Sequence, residues 1–346
     1  MEDSVFSSIK SNKMNEVNDI KADIKRKILK PIYFLMGEES LFINEISDFI
    51  EENVLDESEK GFNQQIMYGR DVTIEEIIAA SKRYPMMAER QVIIVKEAQD
   101  LSKTIEKLTS YAENPQPTTV LVFNYKYKTL DKRKKLYKDI LKSGLIFESK
   151  KLYENKVPDW IRKVLNEKNY QIDTKASLML VEFLGTDLNK INNELKKLMI
   201  ILPEKTIIND THIEENIGIS KDFNNFELRK AIGEKNVLKS NRIINYFADN
   251  TKSNPLVMTI SLLNSFFTQL LFFHGLQDKS KKSVSLALGI SPYFVDEYFL
   301  AARNYPIQKV TSILSFLRDA DVKSKGVGAN QNERDILKEL IFKILH

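Results

Sequence analysis

The first stretch with the makings of chemistry is Gly37-Glu38-Glu39-Ser40, which follows the apolar run Ile32-Tyr33-Phe34-Leu35 and precedes a helix-like segment. A phosphate-binding loop would stand at such a place. It needs a glycine-rich turn ending in Gly-Lys-Ser/Thr, with backbone N–H groups to cradle phosphates, a lysine to neutralise charge and a hydroxyl for magnesium. Here there is one glycine, no lysine, and a pair of carboxylates where a triphosphate would sit. Like-charge repulsion opposes ATP there. The acidic pair that would hold magnesium belongs after a later strand. Val92-Ile93-Ile94-Val95 is followed instead by Lys96-Glu97, a cation at the metal-ligand position, and Glu97 reads as a solvated surface residue.

Other chemistry fares no better. The chain has no cysteine, which excludes a disulfide framework, a thiolate zinc site, an iron–sulfur cluster and a cysteine nucleophile. Its three histidines, His212, His274 and His346, are too few for a multi-histidine metal site and read as ordinary polar residues. Gly326-Val327-Gly328 lacks the third glycine and the strand–turn–helix context of a dinucleotide fingerprint. No nucleophile elbow is present. We therefore assign no catalytic residue, no cofactor and no metal.

The elements around these residues fall into two kinds. Up to about residue 150, short apolar runs at 32–35, 65–68, 92–95, 120–123 and 145–147 alternate with helix-like stretches around 41–54, 73–83, 101–112 and 131–142. Runs this short, without polar alternation, read as buried parallel strands, and their alternation with helices predicts a five-stranded α/β sheet. Beyond residue 153 the strand signal disappears. Asp173 can cap a helix that Gly185 ends, and Thr186 or Asp187 can cap the next, which carries Leu188, Ile191, Leu195 and Leu198 on one face. The expected organisation is an extension over 1–24 that is partly frayed, an α/β domain without a phosphate loop over 25–152, a small helical lid over 153–220, and an all-helical collar over 221–346.

One segment needs testing against a bilayer. Ser253–Gln277 is 25 residues without a formal charge, long enough to span. Ser261, Asn264, Ser265 and Thr268 form one polar stripe at helical spacing, so we read a helix sunk in a helical assembly with that stripe satisfied by neighbours. The first residues, Met1 to Lys13, lack the apolar core of a signal peptide, and a cytoplasmic location without membrane contact is expected. The net charge of +4 neither requires nor excludes nucleic acid.

Four stretches, in order and spacing, carry a family resemblance. They are Pro31–Glu39 with its following helix, Pro85-Met86-Met87-Ala88-Glu89-Arg90-Gln91, Leu130–Lys138 joined by Trp160, Gly185-Thr186-Asp187-Leu188 and Asn193–Leu198, and Leu317–Gly326. Together they resemble the delta subunit of the bacterial DNA polymerase III clamp loader over roughly residues 25–346. The resemblance implies a AAA+ fold without a working ATP site and no intrinsic activity. It also implies a ring assembled with delta prime and the gamma/tau ATPases through the C-terminal collar, binding and opening of the sliding clamp (the beta subunit), and passage of primed DNA through the assembly. The clamp-binding wedge of that family is a pair of bulky apolar residues; it falls here on Met86 and Met87, flanked by Pro85 and Arg90, and departs from the commoner Leu-Phe pair.

From the residues alone, a plainer reading of the pair is that one methionine plugs the domain core. Against it, adjacent helical residues point about 100° apart and cannot easily face one core, Pro85 favours a presented loop or helix end, and a flexible thioether suits a partner's pocket. The run Lys126–Lys142 holds eight Lys/Arg and two Asp, 8 − 2 = +6, interleaved with Tyr125, Tyr127 and Tyr137. Its Lys132, Arg133, Lys134 and Lys135 are candidate DNA contacts; a solvated helix face with tyrosines packed inward is the plainer alternative. Outside this family, a nucleotide-dependent enzyme with a divergent phosphate loop stays open, as does a delta-prime-like subunit within it, although the missing Ser-Arg-Cys motif and zinc cysteines weigh against the latter.

Overall fold

A computed structural model describes residues 13–220, 222–252, 254–326 and 332–346, and the chain falls into two compact units, Met1–Leu152 and Tyr153–His346. Val327 and Gly328 of the glycine pair considered above lie outside the described residues.

The first unit runs α1 Lys13–Lys25, β1 Ile32–Gly37, α2 Ser40–Asn53, α3 Glu57–Asn63, β2 Gln64–Tyr68, α4 Ile74–Ser81, β3 Gln91–Lys96, α5 Thr109–Ala112, β4 Thr119–Lys126, α6 Lys135–Ser143 and β5 Leu145–Ser149. The strands form one parallel sheet in the order β2-β3-β4-β1-β5. Every residue of β1 is buried, as the unbroken apolar run requires. Phe34 and its register partner Phe123 stack on one face at 5.5 Å between ring centroids. That face is closed by Ile74 and Ile77 of α4, Tyr111 of α5, and Leu136 and Ile140 of α6. Helix α2 lies against β1, β3, β4 and β5 and buries Phe42, Ile43, Ile46 and Ile50. The order of the strands and their crossovers is the doubly wound arrangement of AAA+ folds, and it sets the β1–α2 turn at the carboxyl end of the sheet, where such folds hold nucleotides.

Two expectations change here. The extension is helical from Lys13: Val17, Ile20 and Ile24, at helical spacing, are buried where α1 packs on α2. Residues 1–12 lie outside the described residues. The helix expected over 101–112 is broken into 3-10 turns at Ala98–Leu101 and Ile105–Leu108 before the short α5. Hydroxyls explain the break: Thr104, Thr109 and Ser110 each donate to a backbone carbonyl three residues back, in competition with the α-helical ladder.

The second unit contains α7 Val157–Asn166, β6 Gln171–Ile172, α8 Thr174–Leu184, α9 Leu188–Ile201, β7 Ile207–Ile208 and α10 Asp210–Ile217, then α11 Asn225–Gly233, α12 Val237–Asp249, α13 Leu256–Gly275, α14 Lys281–Leu288, α15 Val295–Asn304, α16 Ile307–Ser324 and α17 Glu333–Leu345. The β6–β7 pair is a two-residue parallel bridge too short to leave a sequence pattern. Gly185 ends α8 with φ +69°, and the Asp187 carboxylate accepts from the N–H groups of Asn189 and Lys190 at the start of α9. Helices α11 to α17 share one apolar core.

Helix α13 is the one described helix long and apolar enough to cross a membrane, but Leu256, Ile260, Leu263, Phe266, Phe267, Leu270 and Phe273 are buried inside this unit. Its polar stripe is not taken up by neighbours within the chain. Ser261, Asn264 and Ser265 are exposed, because the apolar face alone is enough to seat the helix against α15 and α16.

Burial pushes the Glu182 carboxyl up to about 7, against the pull of Arg229 and of the Phe226 N–H that it accepts. One of its oxygens has no hydrogen-bond partner. Because the folded pKa lies above the ordinary 4.5, the folded state holds the proton more tightly. The associated stability is full below about pH 4.5 and is lost as the pH rises through about 7. Urea midpoints measured across that window should fall more for the native chain than for Glu182→Gln; parallel curves would contradict this origin.

Candidate functional site

At the carboxyl end of β1 the backbone amides that would serve a phosphate are already used. Gly37 N–H donates to Lys128 O at 3.1 Å, Glu38 N–H to Ser149 O at 3.2 Å, and Glu39 N–H to Ser149 Oγ at 3.2 Å. Gly37 has φ +117°, and a Cβ there would stand 2.0 Å from Ser149 O, so glycine serves close approach of β5 and not of a ligand. The buried Glu39 carboxylate caps α2 by accepting from Leu41 N–H at 3.3 Å. A carboxyl built into the chain thus occupies the N-terminus of the helix, the place where a nucleotide phosphate would otherwise bind.

The position of the magnesium ligands is likewise closed. Lys96 Nζ lies 3.0 Å from Glu51 Oε2. Burial pulls its pKa down, but Glu51 and Asp48 outweigh that and hold it above the ordinary lysine value. Glu97 is not simply solvated, as its place in the sequence suggests. It has φ +53°, pairs with Lys126 Nζ at 2.6 Å and accepts from Gln99 Nε2 at 2.7 Å. Partial burial raises its pKa, yet these partners bring it below the usual carboxylate value. Among the described residues no cluster of His, Cys, Asp and Glu could hold a metal ion. The histidines have structural work: the His212 ring accepts from Asn209 N–H, His274 pairs with Tyr305 O at 2.9 Å, and His346 packs on Phe342.

The methionine pair lies in the loop between α4 and β3. Neither side chain enters a core: Met86 is 62% and Met87 fully exposed. The loop is nevertheless well held. Gln91 Nε2 donates to Arg83 O at 2.6 Å and to Thr119 Oγ1 at 2.8 Å, and Arg90 Nη1 donates to Pro117 O at 2.9 Å. Arg90 is therefore turned back towards the sheet as an anchor. Between these anchors, the Asn63 side chain pairs with both backbone polar groups of Met86. Met87 sits in the left-handed region at φ +54°, uncommon for a side chain of its kind. Phe62 and Tyr84, each 77% exposed, adjoin Asn63 and Pro85 in sequence. Sequence reasoning passes over Phe62 and Asn63; an asparagine at a helix end carries no signal beyond termination.

The basic run is compensated in space. Lys132 pairs with Glu148 at 2.8 Å, Arg133 makes a two-point contact with Asp131, Lys134 pairs with Glu106 at 3.3 Å, and Lys135 pairs with Glu113. Tyr125 is buried and Tyr137 packs against the core, while Tyr127 points outward.

The fold and this site define a AAA+-type α/β protein whose phosphate cradle is filled by its own chain. Residues 33–150 match the family model described as DNA polymerase III, delta subunit. The chain is 26% identical over 339 residues to DNA polymerase III subunit delta of Bacillus subtilis (strain 168), covering 94% of this chain and 96% of that one. Among solved structures, the Bacillus subtilis DNA clamp loader delta protein superposes with a TM-score of 0.53 at 25% identity, covering 95% of this chain and 99% of that one. The chain is thus similar to DNA polymerase III delta subunits, in the family model over residues 33–150 and in these two relatives over nearly its whole length.

A closed cradle has a direct consequence. Equilibrium dialysis of the isolated chain against ATP and magnesium should give no saturable binding, and a magnesium-dependent isotherm would revive the enzyme reading.

Proposed function

We propose that this chain is the non-catalytic clamp-loader subunit that binds the sliding clamp and favours its open form for loading onto primed DNA. The observation that carries this is the Met86-Met87 tip: two apolar side chains held out in water on a loop anchored on both sides. Burying such a side chain in a partner's apolar pocket is worth about 1.5–3 kcal/mol, so a folded chain gains by docking this tip and has no internal use for it. Methionine fits the role because its thioether adapts to an irregular pocket.

In the same reading, residues 221–346 join this subunit to delta prime and to the gamma/tau ATPases, and the assembly works in the cytoplasm. Nucleotide acts on those neighbours, and the tip is hidden or displayed as the ring changes state; only an unequal affinity for the two states of the clamp can shift it. Contact of Lys132, Arg133, Lys134 and Lys135 with primed DNA is the weaker part, since phosphate would have to displace four carboxylate partners.

Met86→Ser with Met87→Ser should abolish clamp binding in a calorimetric titration, at a cost of roughly 2 kcal/mol or more per residue, with the melting temperature unchanged. Full retained affinity would remove the wedge assignment. For the basic run, replacing all four cations by Ala in the assembled loader should flatten the dependence of log K for DNA on log salt by about 0.9 for each phosphate no longer neutralised. An unchanged slope would leave these residues as surface ion pairs.

A further inference from the structure

Asn63 does more than end α3. The residue is 5% exposed, and its three side-chain hydrogen bonds all go to backbone. Oδ1 accepts from Met86 N–H at 2.6 Å, Nδ2 donates to Met86 O at 2.9 Å, and Nδ2 also donates to Glu59 O at 3.2 Å in its own helix. A primary amide and a peptide group are complementary when aligned this way, so a single side chain fixes the peptide planes on both sides of Met86. The next residue is Met87 in the left-handed region, a conformation that persists in a bulky residue only when its surroundings over-determine it. Partial burial strengthens both bonds, and their loss is costly because the peptide groups of Met86 would need new partners.

We propose that Asn63 is a positioning residue for clamp binding: it locks the Met86-Met87 tip in the presented conformation before the partner arrives. The functional half of this statement rests on the wedge reading above; the conformational half does not. Order fixed in advance raises affinity because less freedom is lost on docking. Neither the methionine pair nor the proline before it could supply this, since the lock comes from a helix 23 residues away in sequence.

The full chain carrying Asn63→Ala or Asn63→Asp tests it with two readouts. Hydrogen exchange should show the Met86 amide opening about tenfold faster in Asn63→Ala, with the amides of Val92 to Val95 in β3 unchanged. Asn63→Asp retains the acceptor for Met86 N–H and should leave that amide closer to native. Affinity for the purified sliding clamp should fall about tenfold in Asn63→Ala and less in Asn63→Asp. An unchanged Met86 amide would overturn the lock. A faster Met86 amide with unchanged clamp affinity would overturn its role in binding, and faster exchange throughout β3 would show a general loss of fold and overturn a local role. If Met86→Ser with Met87→Ser binds the clamp as the native chain does, the wedge reading has failed, and the exchange result still decides the lock.

Discussion

Backbone amides at the end of β1 can serve a phosphate or a neighbouring strand, but not both at once. In this chain Ser149 and Lys128 take them, and the close approach of Ser149 at Gly37 leaves no gap between the β1–α2 turn and β5. Much else follows. With the turn satisfied internally, the helix N-terminus needs only the Glu39 carboxyl, and Lys96, a cation standing where magnesium would be held, is paired with Glu51.

The Met86-Met87 tip costs energy in isolation. Two apolar side chains face water and one of them adopts a left-handed backbone. Strain of this kind typically amounts to about 1–3 kcal/mol and persists where the surrounding structure over-determines it. The compensation is local: Asn63, Gln91 and Arg90 tie the loop to α3, β4 and the turn before it through buried or short hydrogen bonds. Phe62, on α3, and Tyr84 differ from the scattered exposed apolar residues elsewhere because they adjoin the anchored Asn63 and Pro85 in sequence.

Charge shows the limit of counting along the chain. The segment from Lys126 to Lys142 carries +6 in sequence. In space, Glu97, Glu106, Glu113 and Glu148 come to it from three other parts of the same unit. Exposed pairs of this sort contribute little to stability, but they lower the potential that a polyanion would meet. The second unit solves its own problem differently: α13 is apolar enough to suit a membrane, and its long face is absorbed by the helices around it while its serines and asparagine stay wet.

The amino-acid sequence determined the strands, the absence of the phosphate-loop residues, the caps at Asp187 and Gly185, and the amphipathic helices of the second unit, because each of these is set by neighbours within a few positions. It also placed Met86 and Met87 next to Pro85. Short-range reading missed α1, whose three apolar residues sit in polar company, and the two-residue β6–β7 bridge, and it joined 101–112 into one helix where hydroxyls divide it. Only the tertiary structure decided that both methionines face outward, that Arg90 anchors instead of reaching, that the basic run is paired, and that Asn63 grips Met86. Most of those outcomes depend on groups 20 or more residues apart meeting within hydrogen-bond distance, such as Asn63 with Met86, Arg90 with Pro117 and Lys134 with Glu106. No local pattern encodes such meetings; the packing of the sheet and its helices does.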